Sequence, residues 1–209
     1  MSFEGFGPAA CSWFGGLEAD NSKTYFQNTK DVFDEHVKAP MQALLADMQS
    51  KYGGEAKLFR QHRDVRFSKD KSPYKTAAYG GVYDPAHVMG WYVAIDARGF
   101  YAGRGVYSLE PDDLGKFRDA VAAEGGADLA KAVTAAEATG VEISGDALKT
   151  APRGYDKAHP RVDLLRRKNI VVGQRITATE VAGDRPWTHA LSVWDRVQPI
   201  SDWMDQALR

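Results

Sequence analysis

The chain has 209 residues, 44% hydrophobic and 26% charged, with 27 Lys and Arg against 28 Asp and Glu; this composition supplies a sizeable core and excludes a disordered polyelectrolyte. Cys11 is the single cysteine, which excludes an internal disulfide and a cysteine-built zinc site within one chain. No window approaches the roughly 18 apolar residues of a membrane helix, and the start, MSFEGFGPAACSWFGG, has neither a basic n-region nor an apolar h-region, so a soluble, cytoplasmic protein with no membrane partner is expected.

No stretch has the composition of a linker, and residues 1–209 read as one domain. Pro8 is placed to open a brief helix with Phe14 and Leu17 on its apolar face, ending at Asp20 and Asn21. Beyond it Phe26, Phe33, Val37, Met41, Leu44, Leu45 and Met48 recur at helical spacing, with Asp20 or Asn21 as N-cap and Gly53-Gly54 as the stop. This predicts a long helix that kinks or splits near Ala39, because Pro40 removes a backbone donor. Leu58 and Arg60, then Val65 and Phe67, alternate with charged neighbours and read as short strands with a core-facing side. Ser72-Pro73 then stiffens an exposed loop.

Residues 90–108 carry the strongest strand signal. Trp91, Val93 and Ile95 alternate with Tyr92, Ala94 and Asp96; after a turn at 96–99, Phe100, Ala102, Arg104 and Val106 alternate with Tyr101, Gly103, Gly105 and Tyr107. An antiparallel hairpin follows. Gly103 and Gly105 on one face leave room for a neighbouring backbone or a ligand, though a bulge or sheet twist is the commoner reason for such glycines. Pro111, Asp112 and Asp113 open a helix to about Glu124, and Leu129, Val133 and Ala136 continue a second one to Gly140. A short strand at 141–143, a helix opened by Pro160, a strand at 170–176 and two helical pieces separated by Pro199 complete the pattern. The expected class is α+β: a mostly antiparallel sheet with helices packed on it, a long N-terminal helix and C-terminal helices.

Two stretches stand out by charge. RQHRDVRFSKDKSPYKT, residues 60–76, sets six basic side chains against Asp64 and Asp70, and KTAPRGYDKAHPRVDLLRRK, residues 149–168, sets seven against Asp156 and Asp163, in a chain of net charge −1. Positive charge is therefore segregated, and an electropositive surface forms if the stretches meet. Lysines act as point charges on phosphate, and arginines as forks for carboxylate or phosphate. Ser68 with Lys71, and Ser72 with Lys75, match the S-x-x-K spacing of serine acyl transferases, but Pro73 disfavours the required helix and no S-D-N or K-T-G companion exists. His36, His62, His87, His159 and His189 are dispersed without metal-ligand spacing, so no metal site is expected; His159 alone sits inside a basic stretch. Asp70 reads as a counter-ion or an acid held ionised, and Tyr74 and Tyr155 as residues able to stack on a base or sugar.

The segment RDVRFSKDKSPYK (63–75) resembles a widespread microbial family of uncharacterised proteins, domain of unknown function 2461. Residues 21–26 before the long helix, GRGVYSLEP (103–111) and APRGYDKAHPRVDLLRRK (151–168) extend the resemblance over nearly the whole chain. Ser22 and Tyr25-Phe26 stand where that family usually has a second Asn and a Trp-Phe pair. The resemblance implies one α+β domain with the two basic motifs as its signature, and transfers no catalytic residue or cofactor. The leading expectation is a site where both motifs bind an anionic, phosphorylated small molecule, with turnover left open, through Arg63, Arg66, Lys69, Asp70, Lys71, Tyr74, Lys75, Arg153, Tyr155, His159 and Arg161. One alternative is a nucleic-acid binding module on the same face, which the net charge disfavours. Another is a structural ion-pair network, with the true site at the glycine-lined hairpin face.

Overall fold

The computed structural model describes residues 2–208. Its helices and strands assemble as an α+β fold in which, among the described residues, one antiparallel sheet has six strands in the order β1-β2-β3-β4-β6-β5. The strands are β1 (Glu55–Leu58), β2 (Ala77–Tyr83), β3 (Gly90–Asp96), β4 (Gly99–Val106), β5 (Glu142–Ser144) and β6 (Ile170–Thr177). The chain divides into two compact units. One holds Met1–Asp84, Tyr92–Ala102 and Arg175–Leu191, the other Pro85–Trp91, Gly103–Gln174 and Ser192–Arg209.

In the first unit, α1 (Ala10–Ala19) buries Phe14 and Leu17 as expected, but Pro8 lies in the turn before it. The long helix is built in four pieces: α2 (Lys23–Asn28), α3 (Lys30–Phe33), a π turn (Asp34–Lys38) and α4 (Ala39–Tyr52). Its N-cap is Ser22, whose hydroxyl accepts the Tyr25 N–H at 3.1 Å, rather than Asp20 or Asn21. The stop at Gly53 and Gly54 holds, both with φ of +73°. Near Ala39 the helix changes register instead of breaking. The Ala39 N–H reaches back five residues to the Asp34 carbonyl, and this wider turn relieves the crowding a proline ring imposes on the turn before it.

The π turn has a second consequence. Residues four apart on an α-helix drift by about 40° per step, whereas a wider turn takes some of that drift back. Phe33, Val37, Met41 and Leu45 therefore stay on one buried line, and Lys30, Asp34, Lys38 and Gln42, also four apart, form a polar line beside it. Leu45 faces Gly80 of β2, where an added Cβ would lie 2.7 Å from the leucine side chain. β2 was not legible as a strand: AAYGGVY is rich in Ala and Gly, and Gly80 is required by this approach of the helix.

Val65 and Phe67 form no strand. Residues 63–73 are irregular, Phe67 is 97% exposed, and the core-facing assignment is corrected accordingly. Alternation misleads here because the charged neighbours are satisfied within the loop rather than in a ladder.

In the second unit, α5 (Pro111–Ala122) begins at its proline with Asp112 and Asp113 in the first turn, and α6 (Gly126–Glu137) buries Leu129, Val133 and Ala136. β5 pairs antiparallel with β6, Ile143 opposite Val172. The helix after Pro160 is one turn, α7 (Val162–Leu165). The last helix, α8 (Arg185–Leu208), is continuous through Pro199, against the expected two pieces. Pro199 and Asp195, whose carbonyl loses its donor, are both exposed to water, while Val193, Val197, Ile200 and Met204 carry a buried line through the site.

Candidate functional site

The first basic motif is a loop held at its base. The Arg63 N–H donates to the Pro73 carbonyl and the Lys75 N–H to the Gln61 carbonyl, each at 2.9 Å. Asn21 clips the loop to the helical side, its amide donating to the Tyr74 carbonyl and its Oδ1 accepting the Tyr74 N–H, both at 3.1 Å. The Tyr74 ring is 4% exposed and stacks on Phe26 with centroids 4.2 Å apart and planes 12° apart. Tyr74 is thus an anchor with no free face for a ligand.

Most charges of the loop are partnered inside it. Arg63 bonds Asp70, and Arg66 bonds Asp64 at 2.6 Å while its guanidinium lies 6.0 Å from the Phe67 ring. Asp70 also accepts the Ser72 hydroxyl at 2.6 Å and the Ser72 N–H at 2.8 Å; these bonds, with Arg63, hold its carboxyl down at about 2. Lys71 donates to the Val65 carbonyl at 2.9 Å and Lys75 to the Arg60 carbonyl at 2.7 Å, so neither lysine reaches its S-x-x-K serine. Lys69 is exposed and makes no contact of this kind among the described residues.

Beside this loop lies a cleft of about 440 Å³. Phe26, Phe33, Leu58, Phe59 and Ala78 give it an apolar floor, and Lys30, Asp34, Lys38, Gln42, Arg60, Gln61 and His62 a polar rim. Lys30 bonds Asp34, and Lys38 lies 3.8 Å from the same carboxylate; the bond from Lys30, more than any other effect, holds the Asp34 carboxyl below its ordinary value. Arg60 is exposed, with no ion-pair partner for its guanidinium among the described residues. Three permanent cations thus face one carboxylate. The π turn forms part of the wall, and such turns recur at functional sites. None of the loop residues 63–75 lines the cleft; the opening of the same motif, 60–62, does. The signal for the rest was the four-residue spacing of Lys30, Asp34, Lys38 and Gln42, hidden by the stronger apolar periodicity beside it.

The second basic motif belongs to the other unit, where three of its arginines, Arg161, Arg166 and Arg167, hold backbone. Arg161 donates to the carbonyls of Val121 (2.7 Å), Ala122 (3.0 Å) and Ala123 (2.8 Å), closing the C-terminus of α5. Arg166 donates to the Leu148 carbonyl at 2.6 Å. The Tyr155 hydroxyl donates to Asp119 at 2.7 Å; burial first, then that bond, pushes it up to about 12. His159 accepts the Arg161 N–H at 3.0 Å through Nδ1. Arg153 alone of the named residues is exposed without such a contact among the described residues. A second cleft, of about 510 Å³, has Arg118, Asp146, Lys168 and Asn169 among its lining residues. At the hairpin, the space a side chain would take at Gly105 is filled by the Ile170 carbonyl and Val171, and the Gly103 carbonyl accepts the Trp194 indole at 2.9 Å. The glycines serve close packing there.

Among the described residues no group of three or more His, Cys, Asp or Glu is arranged to hold a metal, and no helix is long and apolar enough to cross a membrane.

One antiparallel sheet with helices packed about it, and a cation-rimmed cleft in one of the two units, defines an α+β protein. The chain belongs to the family described as Conserved hypothetical protein (DUF2461), whose model matches residues 9–203. No curated protein matches it in sequence.

Proposed function

We propose that this protein binds an anionic, phosphorylated small molecule at the cleft bordered by its first basic motif. The observation that carries the reading is the rim: Lys30, Lys38 and Arg60 against the single carboxylate Asp34, over an apolar floor. Lysines supply point charge and Arg60 a fork for two phosphate oxygens, while Phe33 and Phe59 cover an apolar body. His62 adds an imidazole to the rim. The exposed Lys69 extends the positive field of the loop.

Titration calorimetry of the whole chain with orthophosphate and then a panel of phosphorylated metabolites tests this. Saturable binding of at least one organic phosphate at one site per chain is expected, and Lys38→Ala with Arg60→Ala weakens it about tenfold, or about 1.4 kcal/mol. Absence of heat with every compound, or unchanged affinity in the double variant, refutes the reading.

A further inference from the structure

A second surface of the first unit has a different chemistry. Strand pairing places Lys57 opposite Gly81 and Glu55 opposite Tyr83, while Leu58 pairs with Gly80 on the face covered by Leu45 of α4. By alternation Tyr79 and Tyr83 lie on the face away from α4. There the rings form a row across the strands. Phe59 and Tyr79 have centroids 5.2 Å apart, Tyr79 and Tyr92 6.1 Å, and Tyr92 and Tyr101 6.0 Å.

Cations border three of its four rings. Lys57 lies 5.2 Å from the Phe59 centroid, Lys75 4.5 Å from Tyr79, and Arg175 5.8 Å from Tyr101. The acids nearby are Asp96, already held by Arg98 at 2.9 Å and Arg175 at 2.8 Å, and the exposed Glu55 at the far strand. Phe59, Tyr79, Tyr92 and Tyr101 all remain partly exposed, and the residues alternating with them, Ala77, Gly81 and Ala94, are small. A face meant only for a core would carry branched apolar side chains there.

We propose that this row is a stacking platform for single-stranded nucleic acid, with bases on Tyr79, Tyr92 and Tyr101 and phosphates on Lys57, Lys75 and Arg175. Aromatic side chains on a sheet surface offer every base a π face, whatever its sequence. A duplex hides those base faces and gains only the charge contacts. The inference is separable from the phosphate cleft: Phe59 is shared, but Tyr79, Tyr92 and Tyr101, which take the bases, do not line it.

The test is fluorescence anisotropy of labelled mixed-sequence single strands, RNA and DNA, and of the matching duplex, with the whole chain at several salt concentrations. Single strands are expected to bind more tightly than the duplex, with log K falling against log salt by about 0.7 for each phosphate neutralised. Tyr92→Phe with Tyr101→Phe keeps the affinity because the rings remain, whereas Tyr92→Ala with Tyr101→Ala loses tenfold or more. Lys57→Glu, at an exposed position that leaves the fold intact, weakens binding several-fold and shallows the salt slope. Equal affinity for duplex and single strand, no single-strand binding at roughly 10⁻⁴ M protein, or indifference to Lys57→Glu overturns the proposal. A loss of orthophosphate binding in the cleft variants has no bearing on it.

Discussion

The two basic motifs look alike in sequence and behave differently in the molecule. Residues 60–76 spend their charges on one another and on a cleft rim, leaving Arg60 and Lys69 open to solvent. In residues 149–168 arginines are spent on backbone, Arg161 and Arg166 fixing carbonyls of α5 and of the segment before α7, while Arg153 and the lysines are exposed. Arginine's fork suits a helix C-terminus as well as a phosphate, so charge count alone cannot tell a binding motif from a brace. For each arginine, what separates the two roles is whether its donors are already used.

The sharpest contrast lies inside the first motif. Tyr74→Ala removes a buried ring stacked on Phe26 and is expected to cost about 3–5 kcal/mol, while Phe67→Ala, at a side chain 97% exposed, changes stability by less than about 0.5 kcal/mol. Urea denaturation of both variants checks this. Equal effects would mean that the loop is not held through Tyr74.

Between the motifs, Arg161→Ala is expected to destabilise by about 2 kcal/mol, because three carbonyls at the end of α5 lose a charged donor. Arg60→Ala, which removes no such bond, should leave the melting temperature in place and weaken phosphate binding instead. The comparison breaks if Arg161→Ala leaves stability unchanged and abolishes ligand binding.

Much of the fold was legible because local rules and burial agree in it. Pro111 with two aspartates, the alternation through 90–106, and Gly53-Gly54 each follow one rule that the tertiary structure does not override. The misreadings come where two demands compete. β2 is built of Ala and Gly because α4 presses on it, so its strand propensity is low; Pro199 sits on an exposed face, where its missing bond costs too little to split α8. For the proposed site, charge segregation pointed to a motif whose opening residues 60–62 border the cleft, but its strongest residues are internally paired. Tyr79, Tyr92 and Tyr101 sit on separate strands, and only the register of the sheet brings them together.

The smallest effect concerns Asp70, and it measures how firmly the first motif closes on itself. Its carboxyl is held at about 2 against an ordinary 3.8, first by the Ser72 hydroxyl, then by the Ser72 N–H and Arg63. A depressed carboxyl favours the closed loop when ionised, so the contribution is fully present above the ordinary value and is lost as pH falls through about 2. Carbon-detected NMR titration of the Asp70 carboxyl should give a midpoint near 2, and Ser72→Ala should raise it toward 3.8. Among the described residues the second motif gives neither aspartate an equivalent set of donors: Asp156 accepts the Ala158 N–H at 2.8 Å within a turn, and Asp163 an Arg166 N–H at 3.3 Å. If Asp70 instead titrates at its ordinary value, Arg63 is not committed to it and becomes available to an anion, which would shift the binding site from the cleft rim into the loop.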